Sequence, residues 1–172
     1  MLYSVGNLAL GYLAVREPRK AVPLLQEYLA GQKKLLGDSP QCAGIQASVA
    51  SDLLKAGEAA AAEPILRDCL AIREKAEPDA WTTFDTRSML GDSLLGQKKY
   101  AEAEPLLLSG YEGLQARAAK IPANSQVRLP EAIGRLVRLH EATGRADEAA
   151  QWLEKLWALA ESPPAPPAAP KP

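Results

Sequence analysis

The stretch Ala103-Glu-Pro-Leu-Leu107 decides the reading of this chain, because it recurs at a fixed interval. It stands upstream as Ala62-Glu-Pro-Ile-Leu66 and as Ala21-Val-Pro-Leu-Leu25, so Pro23, Pro64 and Pro105 follow one another at 41 and 41 residues. A weaker fourth copy, Ala149-Ala-Gln-Trp-Leu153, keeps the alanine and the final leucine, lacks the proline, and lies 46 residues after the third. The added length is expected in the connection around 119–128. Self-similarity at roughly 20–50 residues is the signature of stacked repeats, in which each unit buries its apolar face only against its neighbours.

Within the units, apolar residues recur three and four apart, as in Leu66, Cys69, Leu70 and in Leu107, Tyr111, Leu114. That is the period of a helix, and no stretch shows the alternation of a strand. Ahead of each motif a second apolar run ends in a turn at a constant register: Leu53-Leu54-Lys-Ala-Gly57, Leu94-Leu95-Gly-Gln-Lys98 and Leu139-His140-Glu-Ala-Thr-Gly144. Each unit therefore reads as a helix pair. Eight helices are expected at about 2–15, 18–35, 41–56, 59–76, 82–97, 100–118, 127–143 and 146–161. A proline costs least where backbone N–H groups are unpaired, so Pro23, Pro64 and Pro105 are expected in the first turn of each second helix. The recurring Ala21, Ala62, Ala103 and Ala149 are expected at tight helix-helix joints, facing Ala9, Ala50 and Gly91. The fourth pair has the bulkier Leu136-Val137 there and is expected to pack more loosely or rotated.

The fold class that follows is all-α, a solenoid of four antiparallel helix pairs over residues 1–160, with units at about 1–35, 41–76, 82–118 and 127–161. The tail 162–172 carries six of the fourteen prolines and is expected to be disordered and polyproline-like. Twenty basic residues against twenty-one acidic ones leave no field for nucleic acid or an anionic membrane, and neither is expected as a partner. No apolar run is long enough to span a bilayer and the first residues lack a charged leader, so the expected location is cytoplasmic. Two cysteines without a CxxC and a single histidine suit neither a disulfide framework nor a zinc site.

An apolar-small pair, a turn, a tyrosine or alanine, a fixed alanine and a leucine four residues on resemble the tetratricopeptide repeat. The string Tyr100-Ala-Glu-Ala-Glu-Pro-Leu-Leu107, the wording from Leu70 to Lys75 and the 41-residue period are similar to its kinesin-light-chain subclass. Leu94-Leu-Gly-Gln-Lys-Lys-Tyr-Ala-Glu-Ala-Glu-Pro105 also resembles repeat arrays found C-terminal to bacterial serine/threonine protein kinases. The resemblance covers about residues 1–160 and is strongest in the second and third units. It implies a right-handed superhelix whose first helices line a concave surface that grips a peptide or partner protein, and it implies no catalysis. The subtype that clamps a C-terminal carboxylate has a recurring lysine where this chain has Gly6, Ala47, Ser88 and Gly134, so that activity does not carry over. No phosphate loop, HRD or DFG occurs in the chain itself.

Isolated chemistry is sparse. His140 takes the place of Tyr12, Leu53 and Leu94 in earlier units, has no second histidine in HExxH spacing, and is expected as a semi-buried packing residue. Cys69 reads as a small buried hydrophobe and Cys42, opening a helix, as the more exposed thiol. Trp81, Trp152 and Trp157 read as core or end packing, with one of the last two partly exposed. Lys33-Lys34 and Lys98-Lys99 read as solvated surface. No catalytic, metal or cofactor site is expected.

The candidate partner-binding residues lie on the first helix of each pair: Asn7, then Ser48, Ser51 and Lys55, then Asp85, Ser88 and Asp92, then Arg135 and Arg138. All are expected to face the open groove, the two arginines as anchors for carboxylates or carbonyls, unless they merely pair with Glu131 and Glu141 along their own helix. The functional expectation is a non-enzymatic protein-protein interaction scaffold. The alternatives are the regulatory C-terminal segment of a multidomain serine/threonine kinase and a purely structural solenoid. A first helix apolar on every side, with Leu2, Leu10 and Leu13 uncovered, leads to the expectation of a fragment of a longer array that self-associates through open solenoid ends.

Overall fold

The computed structural model describes residues 2–161, with the side chains of Leu2 and Tyr3 and the expected disordered tail 162–172 lying outside what it describes. The described residues run through α1 (Leu2–Ala14), α2 (Pro18–Leu36), α3 (Pro40–Lys55), α4 (Ala59–Ala76), α5 (Trp81–Gly96), α6 (Tyr100–Ala116), α7 (Arg128–Ala142) and α8 (Ala146–Glu161). These are the expected helices to within two residues at each end. The additional residues of the third connection form two 3-10 turns, Ala118–Lys120 and Ala123–Ser125, and Ile121 between them is buried and joins the core.

The turns explain the repeat register. Arg16, Gly57, Lys98 and Gly144 occupy equivalent positions, and all four have the left-handed φ, at 59°, 83°, 62° and 73°. In each unit the following N–H reaches back over the end of the first helix: Glu17 to Tyr12 O at 2.8 Å, Glu58 to Leu53 O at 2.9 Å, Lys99 to Leu94 O at 2.9 Å and Arg145 to His140 O at 2.8 Å. This is the Schellman closure, which satisfies helix-end carbonyls by turning one residue left-handed. The residue that donates is also the one from which the second helix starts, so one three-residue turn sets the angle of every pair.

The prolines differ from expectation. Pro23, Pro64 and Pro105 are each the sixth residue of their helix rather than part of its first turn. At that position a proline deprives one carbonyl, that of Arg19, Ala60 or Ala101, of its helical donor. All three rings are exposed, and the helices continue because the opposite face is anchored in the core. Ala21, Ala62 and Ala103 there are fully buried and Ala149 nearly so. The facing positions are tight as expected: a Cβ on Gly91 would stand 2.7 Å from Leu107 Cγ. In the fourth pair both Leu136 and Val137 are buried, so the bulkier residues are accommodated within the core.

Helices pair as α1 with α2, α3 with α4, α5 with α6 and α7 with α8, and each second helix packs on the first helix of the next pair. The first helices also touch one another in the order α1, α3, α5, α7. They therefore form an inner layer and the second helices an outer one, as the stacked-pair reading requires. The core runs the length of the array, with Leu25, Leu66 and Leu107 at one buried register position and Leu53 and Leu94 at another.

Candidate partner-binding surface

Three clefts lie along the inner layer. Between α1 and α3 is a small one of about 170 Å³, floored by Leu25, Tyr28 and Val49 with Asn7 and Ser48 at its rim. Gly6 opens it: a Cβ there would stand 3.2 Å from the Tyr28 ring. Between α3 and α5 a cleft of about 250 Å³ is lined by Ser48, Ser51, Lys55 and Asp85. Between α3, α5 and α7 a third of about 460 Å³ is lined by Ser51, Lys55, Asp92, Arg135 and Arg138. The structure thus brings eight of the nine candidate residues onto one run of adjoining clefts.

The ninth, Ser88, is a correction. It is fully buried rather than facing an open groove, because α6 approaches closely enough that a Cβ on Gly110 would be 2.7 Å from Ser88 N. Its hydroxyl accepts from Arg135 Nη1 at 3.0 Å. Asp85 and Arg135 are corrected in the same sense, at 5% and 6% exposure, whereas Asn7, Ser48, Lys55 and Arg138 are exposed.

The charges of α5 and α7 are paired across the helices. Arg135 Nε meets Asp92 at 3.4 Å and its Nη2 meets Glu131 at 3.6 Å, while Arg138 Nη2 meets the other Asp92 oxygen at 2.7 Å. Arg128 reaches Glu131 at 2.9 Å and Asp85 at 3.7 Å. Asp92 and Asp85 thus face basic residues of the chain's own fourth pair. Burial raises the Asp85 carboxyl above its ordinary range, with Arg135 and Arg128 opposing the shift. Arg138, exposed on its outer side, is the arginine that a ligand can reach.

One inward-facing residue comes from the outer layer and escaped a reading confined to the first helices. Arg73 of α4 is buried and lines the α3–α5 cleft, its Nη1 donating to Thr82 O at 2.5 Å and to Thr86 Oγ1 at 2.7 Å. The signal was available: Gln32, Arg73 and Leu114 lie 41 apart and all three are buried.

The remaining singled-out residues are packing or pairing groups. His140 is buried and more enclosed than expected, and burial together with nearby Arg145 lowers its pKa. Cys69 is buried as expected, and Cys42 is buried against expectation, as are Thr83 and Leu129 at the same register position of the later units. Desolvation raises both thiols. Trp152 stacks edge-on against Tyr111 at 4.9 Å, and Trp157 is 63% exposed. Lys33 is bound to Asp68 at 2.6 Å and Lys99 to Glu63 at 2.9 Å, so neither basic pair is simply solvated. Among the described residues no group of three or more His, Cys, Asp or Glu is placed to hold a metal, and no helix is long and apolar enough to cross a membrane.

Comparison with known proteins places this geometry. Residues 42–79, which include most of α3 and all of α4, match the tetratricopeptide repeat family. Among solved structures, a kinesin-light-chain-like protein of nearly identical tetratricopeptide-like repeats from Podosopora anserina superposes with a TM-score of 0.69 at 24% identity, covering 96% of this chain and 79% of that one. A single-substitution variant of the same protein gives 0.69 and 24%, with coverage of 92% and 74%. No curated protein matches the chain significantly. The fold is therefore a tetratricopeptide-like solenoid, similar to that of the kinesin-light-chain-like repeats.

Proposed function

We propose that this chain is a non-catalytic scaffold that grips an extended peptide or a partner protein along its concave face. The observation that carries the reading is the run of three adjoining clefts on α1, α3, α5 and α7, with Asn7, Ser48, Lys55 and Arg138 exposed along it. A concave site with an apolar pocket and a few convergent polar groups is the usual form of a ligand-binding site. A cytoplasmic setting accords with two buried, unpaired cysteines. The test is a random-peptide selection on the whole chain, repeated with Ser48→Arg to obstruct the first two clefts. Selected peptides that lose binding to the variant support the groove, and peptides indifferent to it move the site elsewhere.

Self-association is a second reading, supported by Trp157. It holds the register position at which Leu29, Leu70 and Tyr111 are buried, and Leu156 and Leu159 lie beside it on α8. A helix of another copy would cover that face. Sedimentation of the wild type against Trp157→Ser decides: a strict monomer at high concentration in the wild type rejects the reading. The kinase-segment alternative draws on the wording of residues 94–105, and the reading frame upstream of Met1 tests it, since it requires an in-frame kinase domain there.

A further inference from the structure

We propose that the cleft between α3 and α5 is a subsite for a carboxamide, the side chain of an asparagine or glutamine in the bound peptide. The inference rests on the concave-groove reading and specifies what that groove recognises at its centre.

Five buried side-chain atoms among the described residues have no hydrogen-bond partner in the protein, and three of them belong to residues of this one cleft: Arg73 Nε, Thr82 Oγ1 and Asp85 Oδ1. Arg73 and Asp85 are 6% and 5% exposed. Native interiors leave few such atoms unmatched, and a cluster of them calls for an explanation. Local flexibility does not supply one for Arg73, because its Nη1 is held by Thr82 O and Thr86 Oγ1. Asp85 is flanked by Arg128 Nε at 3.7 Å and Arg135 Nη1 at 3.9 Å, which offset its charge from beyond hydrogen-bond distance and leave its lone pairs open.

The three atoms differ in kind, and this selects the ligand. Arg73 Nε only donates, the bare Asp85 Oδ1 offers a lone pair, and the Thr82 hydroxyl does either. A carboxylate would satisfy Arg73 but face Asp85, and an ammonium or guanidinium would do the reverse. A carboxamide carries both functions on one planar group: its oxygen accepts from Arg73 Nε while its NH₂ donates to Asp85 Oδ1 and Thr82 Oγ1. All three atoms are sealed from solvent as the side chains stand, so binding turns the Asp85 carboxylate about its soft terminal torsion, shifts the Thr82 side chain, and pivots Arg73 about its held Nη1 to bring them to the cleft wall. At about 250 Å³ the cleft exceeds the roughly 30 Å³ of one water and accommodates such a side chain entering past Ser48 and Trp81. The adjoining clefts recognise other chemistry: that of α1 and α3 is floored by Leu25 and Val49, and that of α5 and α7 by paired charges.

The probe is propionamide, titrated into the whole ¹⁵N-labelled chain, with propionate and propylammonium as matched controls. Propionamide is expected to shift the Arg73 Nε–H and Trp81 indole N–H signals saturably in the millimolar range, the controls are not, and Thr82→Val, which preserves shape outside the arginine cluster, is expected to weaken the effect several-fold. Absence of a saturable propionamide shift, an equal response to propionate, or an undiminished response in folded Thr82→Val overturns the proposal. The peptide selection separates this from the wider reading. Peptides that need the concave face but show no enrichment of asparagine or glutamine reject the carboxamide subsite and leave the groove standing. Peptides indifferent to Ser48→Arg reject both.

Discussion

Ser88 of α5 and Gly110 of α6 touch backbone to backbone: a Cβ on Gly110 would come within 2.7 Å of Ser88 N and 2.9 Å of its Cα. The pair closes the joint between the two helices of the third unit, one turn from the Gly91–Leu107 contact. Ser88→Leu is therefore expected to destabilise the protein about as much as Ala103→Leu, by about 1–3 kcal/mol, since both overpack a sealed joint. Gly110→Ala is expected to cost a similar amount. Thermal melts of the three variants check this, and a Ser88→Leu variant that melts with the wild type would return Ser88 to the open groove.

Lys98 holds the left-handed conformation that glycine supplies in the second and fourth turns. A side chain there carries a steric cost of roughly 1–2 kcal/mol that glycine avoids, offset in part by the greater freedom glycine has when unfolded. Lys98→Gly is expected to stabilise the chain by about 0.5–1 kcal/mol, and Gly57→Lys to destabilise it by a like amount. Chemical denaturation of both variants measures the difference, and opposite signs for the two substitutions are the required result.

Much of this was legible in the sequence, for a physical reason. A unit that must stack on copies of itself repeats its contacts, so the buried alanines, the turn residues and the eight helices announced themselves by spacing. The site was less legible because a helix projection ranks faces, not depths. Asp85 and Arg135 lie on the inner face, yet each is enclosed by the partner reaching across from the neighbouring pair. Ser88 was assigned to the surface by its polarity and put inside by the glycine opposite. Arg73 was missed because it starts in the outer layer and reaches through it. Cys42 was expected to be open because it begins a helix, whereas its register position is buried in the second, third and fourth units alike.

Glu63 joins the second and third units, accepting from Lys99 Nζ at 2.9 Å, Gln97 Nε2 at 2.7 Å and Arg67 Nε at 2.9 Å. These bonds, led by that from Lys99, lower its pKa from 4.5 to about 2. A depressed carboxylate stabilises the fold fully above its unfolded pKa and progressively less as pH falls from about 4.5 toward 2. Glu63→Gln is accordingly expected to lose about 1–2 kcal/mol at neutral pH, allowing for partial solvent screening, and to converge with the wild type near the acid end of that window. Denaturation curves at several pH values check the convergence. A loss independent of pH would mean that packing, not ionisation, is responsible.

Arg135 and Arg138 sit one turn apart on α7 and share Asp92, but their exposures separate what each does. The Arg135 side chain is 8% exposed and faces Asp85, Asp92 and Glu131, so reversing it buries a fourth carboxylate among three. Breaking a buried pair costs about 3–5 kcal/mol, and Arg135→Glu is expected to unfold the fourth unit or abolish folding. The Arg138 side chain is 56% exposed and has one short ion pair, so Arg138→Glu is expected to change stability by no more than about 1 kcal/mol and to leave helicity unchanged. Arg138 is therefore the residue whose reversal tests the groove. A peptide selected on the concave face is expected to bind Arg138→Glu about tenfold more weakly, a loss of about 1.4 kcal/mol, by calorimetry at equal helicity. Unchanged affinity in a fully folded Arg138→Glu would move the ligand off α7 and toward the clefts of α1, α3 and α5.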